Sequence, residues 1–212
     1  MESRPTARAP RITLVLGICA VLGAIGFSLG LGMVLSWREP IPEAGLPAFF
    51  PEAPPGEEAA WEEIKAIFER LGRVQEEVMR RARPVLNALG AVNVVASAGL
   101  FAGALAARLR TASGLQLLRT GLVLSQAYAF LAVLVHGWVQ LQLYGAYRTG
   151  FAEQLQQTGT VREFALAALV SHVLVAMLWA GFFLAQLVFY GWAHRWTKRP
   201  AVQAALAPLP RD

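Results

Sequence analysis

Three side chains have the types to do chemistry where little else does. They are Asn93, His136 and His172, each inside a long uncharged stretch. On helices rising ~1.5 Å per residue, all three fall roughly 12–14 Å below one end of their stretches. Three helices thus bring polar groups to one level. Four chemistries compete for that arrangement. The first is hydrogen bonding that fixes helix register, worth about 0.6 kcal/mol per bond in a membrane. The second is a tetrapyrrole site, with His136 and His172 as axial ligands of a haem or chlorophyll. The third is a polar step on a transport path. No Asp, Glu, Lys or Arg lies in the middle of any of these stretches, which argues against an ion-coupled pump. The fourth is a metal site, for which two histidines without cysteine or carboxylate are too few. Two histidines alone specify little, so the first reading is preferred.

Other chemistry has no foothold. HExxH, a P-loop and an intramembrane aspartate pair are all missing from the sequence, and the one GxSxG spacing, Gly26-Phe27-Ser28-Leu29-Gly30, lies inside an apolar stretch and not on the strand-to-helix turn that a nucleophile elbow needs. His194 lies between Trp192 and Trp196 and reads as an interfacial residue.

The elements that must position these residues follow from composition. Apolar residues make up 56% of the 212 and charged residues 16%, against about 25% charged in a soluble domain. The deficit is concentrated in Ile12–Trp37, Pro84–Ala107, Thr120–Tyr147 and Phe164–Ala193. Each block is long enough for a membrane span. Period-two alternation is missing, which argues against a membrane β-barrel. The fold class is all-α: an integral membrane bundle of four transmembrane helices, at 12–37, 84–107, 114–148 and 161–194. The first block is too long for a signal-peptide core, so it reads as a retained signal anchor. Cys19 is the only cysteine, so no internal disulfide exists. With no Asn-x-Ser/Thr sequon either, a bacterial inner membrane is the expected location.

Each span carries a pattern. In the fourth, Ala165, His172, Trp179 and Gln186 recur every seven residues, as do Leu169, Ala176, Phe183 and Tyr190. Both series fall on one helix face and should point inward, leaving Leu174, Leu178, Leu184 and Val188 outside. In the first, Cys19, Gly23, Gly26 and Gly30 form a small-residue stripe with a GxxxG pair, a packing face towards this chain or a partner. In the second, Gly90, Asn93 and Ser97 share a face, and Gly99 and Gly103 form another close-packing pair. Ser113 with Gln116, and Thr160 with Glu163, resemble capping boxes that start the third helix near Gly114 and the fourth after Thr160. The third helix, running to about Arg148, is long enough to stand above a bilayer.

Between the first two spans lies a loop, 38–83, on the non-cytoplasmic side. Its proline-rich part, Arg38 to Gly56, reads as an extended linker. From Glu57 to Arg83 an amphipathic helix follows, with Trp61, Ile64, Ile67, Phe68, Leu71, Val74 and Val78 on one face. Glu69–Arg73, Glu76–Arg80 and Glu77–Arg81 are spaced as i,i+4 pairs. Pro84 either begins the next span or lies within a helix continuous with it. Trp61, Ile64, Phe68 and Leu71 must be covered, by the protruding end of the third helix or by a neighbouring subunit. With Gly23, Gly26 and Gly30 they are the candidate interaction residues.

Charge sets the orientation. The N-terminal segment 1–11, the turn between spans two and three, and the tail 195–212 together hold 10 basic and two acidic residues, a net of +8; the other side nets −3. Positive charge favours the cytoplasm, so both termini are placed there. The same arrangement explains the pI near 10 without nucleic acid.

In span count and in the side of its termini the chain resembles the broad tetraspan layout. The Cys-Cys-Gly motif of tetraspanins and the cysteine pair of claudins have no counterpart in a sequence with one cysteine. The expected function is that of a non-enzymatic ancillary or scaffold subunit in a membrane complex. It would have the lipid bilayer and a membrane-protein partner or second copy as its partners, and no cofactor. The alternatives are a haem- or chlorophyll-binding subunit and a small-molecule transporter or channel component.

Overall fold

In the computed structural model the described residues are 9–35, 53, 55–156 and 159–208. They form α1 (Ala9–Leu35), α2 (Glu58–Arg108), α3 (Gly114–Gly150), a 3-10 turn (Gln154–Gln156), α4 (Thr160–Thr197) and α5 (Pro200–Ala205), with no strand among them. The first four helices are long and apolar enough to cross a membrane. Most of the proline-rich linker, the N-terminal arginines Arg4 and Arg8, and the last four residues lie outside the described part.

The amphipathic segment and the second span are one helix. α2 runs 51 residues with Pro84 inside it. Proline there removes one N–H from the ladder. The apolar face continues on both sides of it, through Ile64, Ile67, Ala82, Leu86 and Leu89, all buried. α3 starts at Gly114 as its sequence predicts, and ends two residues beyond Arg148. The start of α4 differs in detail. Gly159 takes φ 87° and supplies the turn. Its carbonyl receives the Glu163 N–H at 3.2 Å. The Thr160 hydroxyl donates instead to Glu57 at 3.4 Å, so it serves as a tie to the beginning of α2.

The chain divides into two compact units. Unit 1 comprises Met1–Trp37, Leu86–Val133 and Phe182–Asp212. Its core joins Val15, Leu16 and Cys19 of α1 to Leu100, Ala104 and Ala107 of α2, Leu118, Leu122 and Ala129 of α3, and Tyr190, Ala193 and Trp196 of α4. Val202 and Leu206, on and just after α5, close the same core. Backbones approach closely because glycines leave room. A Cβ on Gly30 would lie 2.9 Å from the Gly90 carbonyl oxygen, and one on Gly103 2.5 Å from the Leu118 backbone. Gly23 and Gly26 likewise meet Phe101 and Ser97 of α2, so the glycine stripe of α1 is filled by this chain's own second helix.

Unit 2 comprises Arg38–Val85 and Leu134–Gly181. Its core is made of larger side chains. Ile64 and Ile67 of α2 are buried with Phe151 after α3 and with Val161 and Ala165 of α4. The Phe68 and Phe164 rings meet at 5.0 Å. On the outer face of α2 Glu77 accepts from Arg81 at 2.7 Å and also from Arg80. Arg80 therefore turns to the residue three back, not to Glu76 as its i,i+4 spacing predicts.

Along α4 the inward stripe predicted from its seven-residue repeats is the covered face. Ala165, Phe183 and Tyr190 are buried, while Leu169, His172, Ala176 and Gln186 are half-buried. Leu178 and Val188, on the opposite face, are 74% and 71% exposed. Trp179 departs from the pattern at 46% exposed. Its ring lies flat against His136 and is not inserted between helices.

Candidate functional site

The polar residues of the helix interiors are positioned by packing. In unit 1 the close approach of α1 and α2 brings Asn93 against a helix backbone. Its Nδ2 donates to the Gly26 carbonyl at 2.9 Å. Ser97 Oγ, one turn on, donates to Asn93 Oδ1 at 2.9 Å. A carbonyl inside a helix has a second lone pair to accept such a bond. Ser125 Oγ of α3 reaches the Ala96 carbonyl at 3.5 Å. All these groups are neutral, and the clamp ties three helices in one register. Nearly two turns from Asn93 towards Pro84, Asn87 Nδ2 is buried without a hydrogen-bond partner.

In unit 2 the two histidines have separate partners. His172 Nε2 lies 3.3 Å from the Gln140 backbone carbonyl. A carbonyl only accepts, so in this contact Nε2 is the donor. Tyr147 meets the same ring edge-on at 5.0 Å. His136 stacks on Trp179, with centroids 5.9 Å apart and planes within 5°. Axial ligation by His172 through Nε2 would require breaking the contact to Gln140. Among the described residues no group of three or more His, Cys, Asp or Glu is placed to hold a metal ion.

The predicted interaction residues are engaged inside the chain. Ile64 is 1% exposed, and Trp61, Phe68 and Leu71 pack around the core it shares with Phe151 and Val161. Of the two covers open to this stripe, the structure has the chain's own residues around the end of α3 and the start of α4. What stays open beside it is a groove of about 680 Å³ between α2 and α3. Val74, Val78, Leu141 and Gly145 line it, with Arg73, Glu77 and Arg81 along its α2 side.

Three features have little sequence signal. Arg119 donates to the Thr197 carbonyl at 2.6 Å and to its hydroxyl at 3.3 Å, tying α3 to the end of α4. Thr197 is fully buried within a basic tail, and only tertiary structure puts Arg119 beside it. The Gln140 contact is made through backbone, which no residue type announces. Arg110 adopts φ 52° in the α2–α3 turn. There the Thr111 N–H reaches the Ala106 carbonyl and the Arg110 N–H reaches that of Ala107, at 3.0 and 3.1 Å. This is a Schellman ending with arginine where glycine is usual.

On the charged part of α2, before Pro84, charge acts locally. Its own backbone N–H and that of Gly56 hold the Glu58 carboxyl below the usual carboxylate range. The hydrogen bond from Arg81 and the charge of Arg80 do the same for Glu77. Comparison with protein-family models, with curated proteins and with solved structures finds no match for the chain.

Proposed function

We propose that the chain is a non-catalytic four-span membrane protein, an ancillary or scaffold subunit that binds a membrane-protein partner. The observation that carries this reading is how the interior polar groups are used. Asn93, Ser97, Ser125 and His172 each bond within the chain, three of them to backbone carbonyls of a neighbouring helix, and His136 stacks on Trp179. Side chains spent on register are poor candidates for acid–base or ligand chemistry. The groove between α2 and α3 then becomes the recognition surface, apolar at Val74, Val78 and Leu141 and charged along α2. Helix-in-groove binding uses such a surface. This reading puts the protein in a bacterial inner membrane with both termini in the cytoplasm. Reporter fusions after α5 and within the first loop test the orientation.

The experiment is purification from native membranes, with partner identification and native mass. Gly145→Leu fills the groove. A Cβ at that position meets nothing within 4 Å, so the variant should fold. It should lose the partner that wild type retains. A wild-type chain that purifies alone, or equal retention by both proteins, overturns the proposal. A Soret or chlorophyll band that His136→Ala and His172→Ala each abolish would replace it with the tetrapyrrole reading.

A further inference from the structure

Unit 1 has an unusual charge inventory. Among its described residues there is no Asp or Glu, while Arg11, Arg108, Arg110, Arg119, Arg195, Lys198 and Arg199 are all present. Every one of them sits beside the same end of the core. Ala107 of α2, Leu118 of α3, Ala193 and Trp196 of α4 and the partly buried Ile12 of α1 pack in that cluster, next in sequence to these cations. Arg119 is used internally, on Thr197. Arg108, Arg110, Arg195, Lys198 and Arg199 are exposed. Trp192 is also exposed, at 47%, and stacks on Trp196 at 6.3 Å. Tryptophan beside cations at the end of an apolar helix is the composition of a headgroup boundary.

Arg110 adds an independent observation. The left-handed conformation disfavours a side chain with a Cβ, and glycine relieves it. Arginine is held there in spite of that cost, projecting a cation from the turn between Arg108 and α3.

We propose that this end of unit 1 binds the phosphodiester headgroups of anionic phospholipid, with Arg108, Arg110, Arg195, Lys198 and Arg199 as its cations and Trp192 at the acyl boundary. Charge complementarity selects the occupant. A cluster with seven cations and no carboxylate among its described residues repels cationic partners and attracts an anion. A membrane-level position beside apolar helices presents it to lipid. The inference rests on the membrane-spanning reading of the four helices. Resistance of the wild-type protein to alkaline carbonate extraction tests that reading separately.

The full chain is reconstituted in phosphatidylcholine vesicles containing spin-labelled phosphatidylglycerol or spin-labelled phosphatidylcholine, and the motionally restricted fraction gives their relative association. Each basic side chain near an anionic surface contributes about fivefold. Wild type should favour phosphatidylglycerol by about fivefold or more. Arg195→Gln with Lys198→Gln and Arg199→Gln should lower the ratio severalfold, with Arg108 and Arg110 left to hold a smaller preference. Arg110→Gly should lower it while raising thermal stability, which separates lost binding from lost folding. Arg195→Lys with Arg199→Lys should keep the preference, and so should Arg70→Gln with Arg162→Gln in unit 2. A wild-type ratio near one overturns the proposal, as does a loss in the unit 2 variant equal to that in the triple variant. Displacement of the labelled lipid by inorganic phosphate at constant ionic strength also overturns it, in favour of a soluble phosphate.

Discussion

Unit 1 and unit 2 draw on the same three long helices and are held together differently. In unit 1 the helices meet backbone to backbone. Glycines stand at the crossings, neutral side chains bond to carbonyls, and the described residues include no acid. In unit 2 the contacts are large side chains, Ile64, Phe68, Phe151 and Phe164, and the outer face of α2 carries ion pairs. On the proposed membrane-spanning reading, the difference follows from how much of each unit faces lipid, unit 2 holding the amphipathic part of α2 together with parts of the third and fourth spans. Lipid tails are as apolar as leucine, so apolar burial drives little and close packing with satisfied polar groups must do the work. Where water reaches, burying an isoleucine or phenylalanine contributes roughly 1.5–3 kcal/mol, and carboxylates can be exposed at no cost.

The largest effect should come from breaking the close approach in unit 1. Gly103→Leu places its Cβ 2.5 Å from the Leu118 backbone. Backbone cannot yield as a flexible side chain would, so the cost should reach the upper end of overpacking, about 3 kcal/mol or more. Gly137→Leu, whose Cβ meets nothing within 4 Å, is the matched control. Thermal unfolding in detergent reads both. Equal midpoints would mean that unit 1 does not depend on glycine contacts.

Next in size is a cavity in unit 2. Ile64→Ala removes a fully buried side chain from the cluster around Phe151. Such truncations cost about 2–5 kcal/mol, and an unrelaxed site lies in the upper part of that range. Limited proteolysis should then cut within α2 residues 58–83 while Gly99–Ala107 stays protected. Simultaneous cleavage of both segments would show that the two regions do not differ in their support.

Much of this contrast is legible in the sequence, for a physical reason. A helix face repeats in chain order, so the inward stripe of α4 and the apolar face of 57–83 are fixed by spacing. The glycine stripe is readable as close packing, yet its partner is not, because nothing in Gly23, Gly26 and Gly30 says which helix fills the space. Asn93 and the histidines are readable as interior polar groups. Their engagement with the Gly26 and Gln140 carbonyls is not, since backbone acceptors are present at every residue. Thr160 shows the limit of a local motif. A capping-box spacing is a statement about four residues, and Glu57, far off in sequence, takes its hydroxyl instead.

The smallest predicted effect separates the regions by pH. Glu58 accepts the Gly56 N–H at 3.1 Å at the start of α2, and Glu77 accepts from Arg80 and Arg81. Both carboxyls titrate below their ordinary range for these reasons. A carboxyl depressed in the fold binds its proton more readily when unfolded. Its contribution is therefore present above the unfolded value of about 4.3 and lost as pH falls through the lower folded value. Acidification from neutrality to below about pH 4 should fray the outer turns of α2, with residues near Glu58 and Glu77 opening first. Both groups are exposed and solvent-screened, so the loss is local and leaves the fold intact. Hydrogen exchange, corrected for the intrinsic pH dependence of the rate, should show falling protection across 58–83 and none across Gly99–Ala107, where no carboxylate lies. Glu58→Gln with Glu77→Gln should flatten the response. Protection that falls equally in both segments would assign the acid sensitivity to something the two regions share, and not to these two carboxylates.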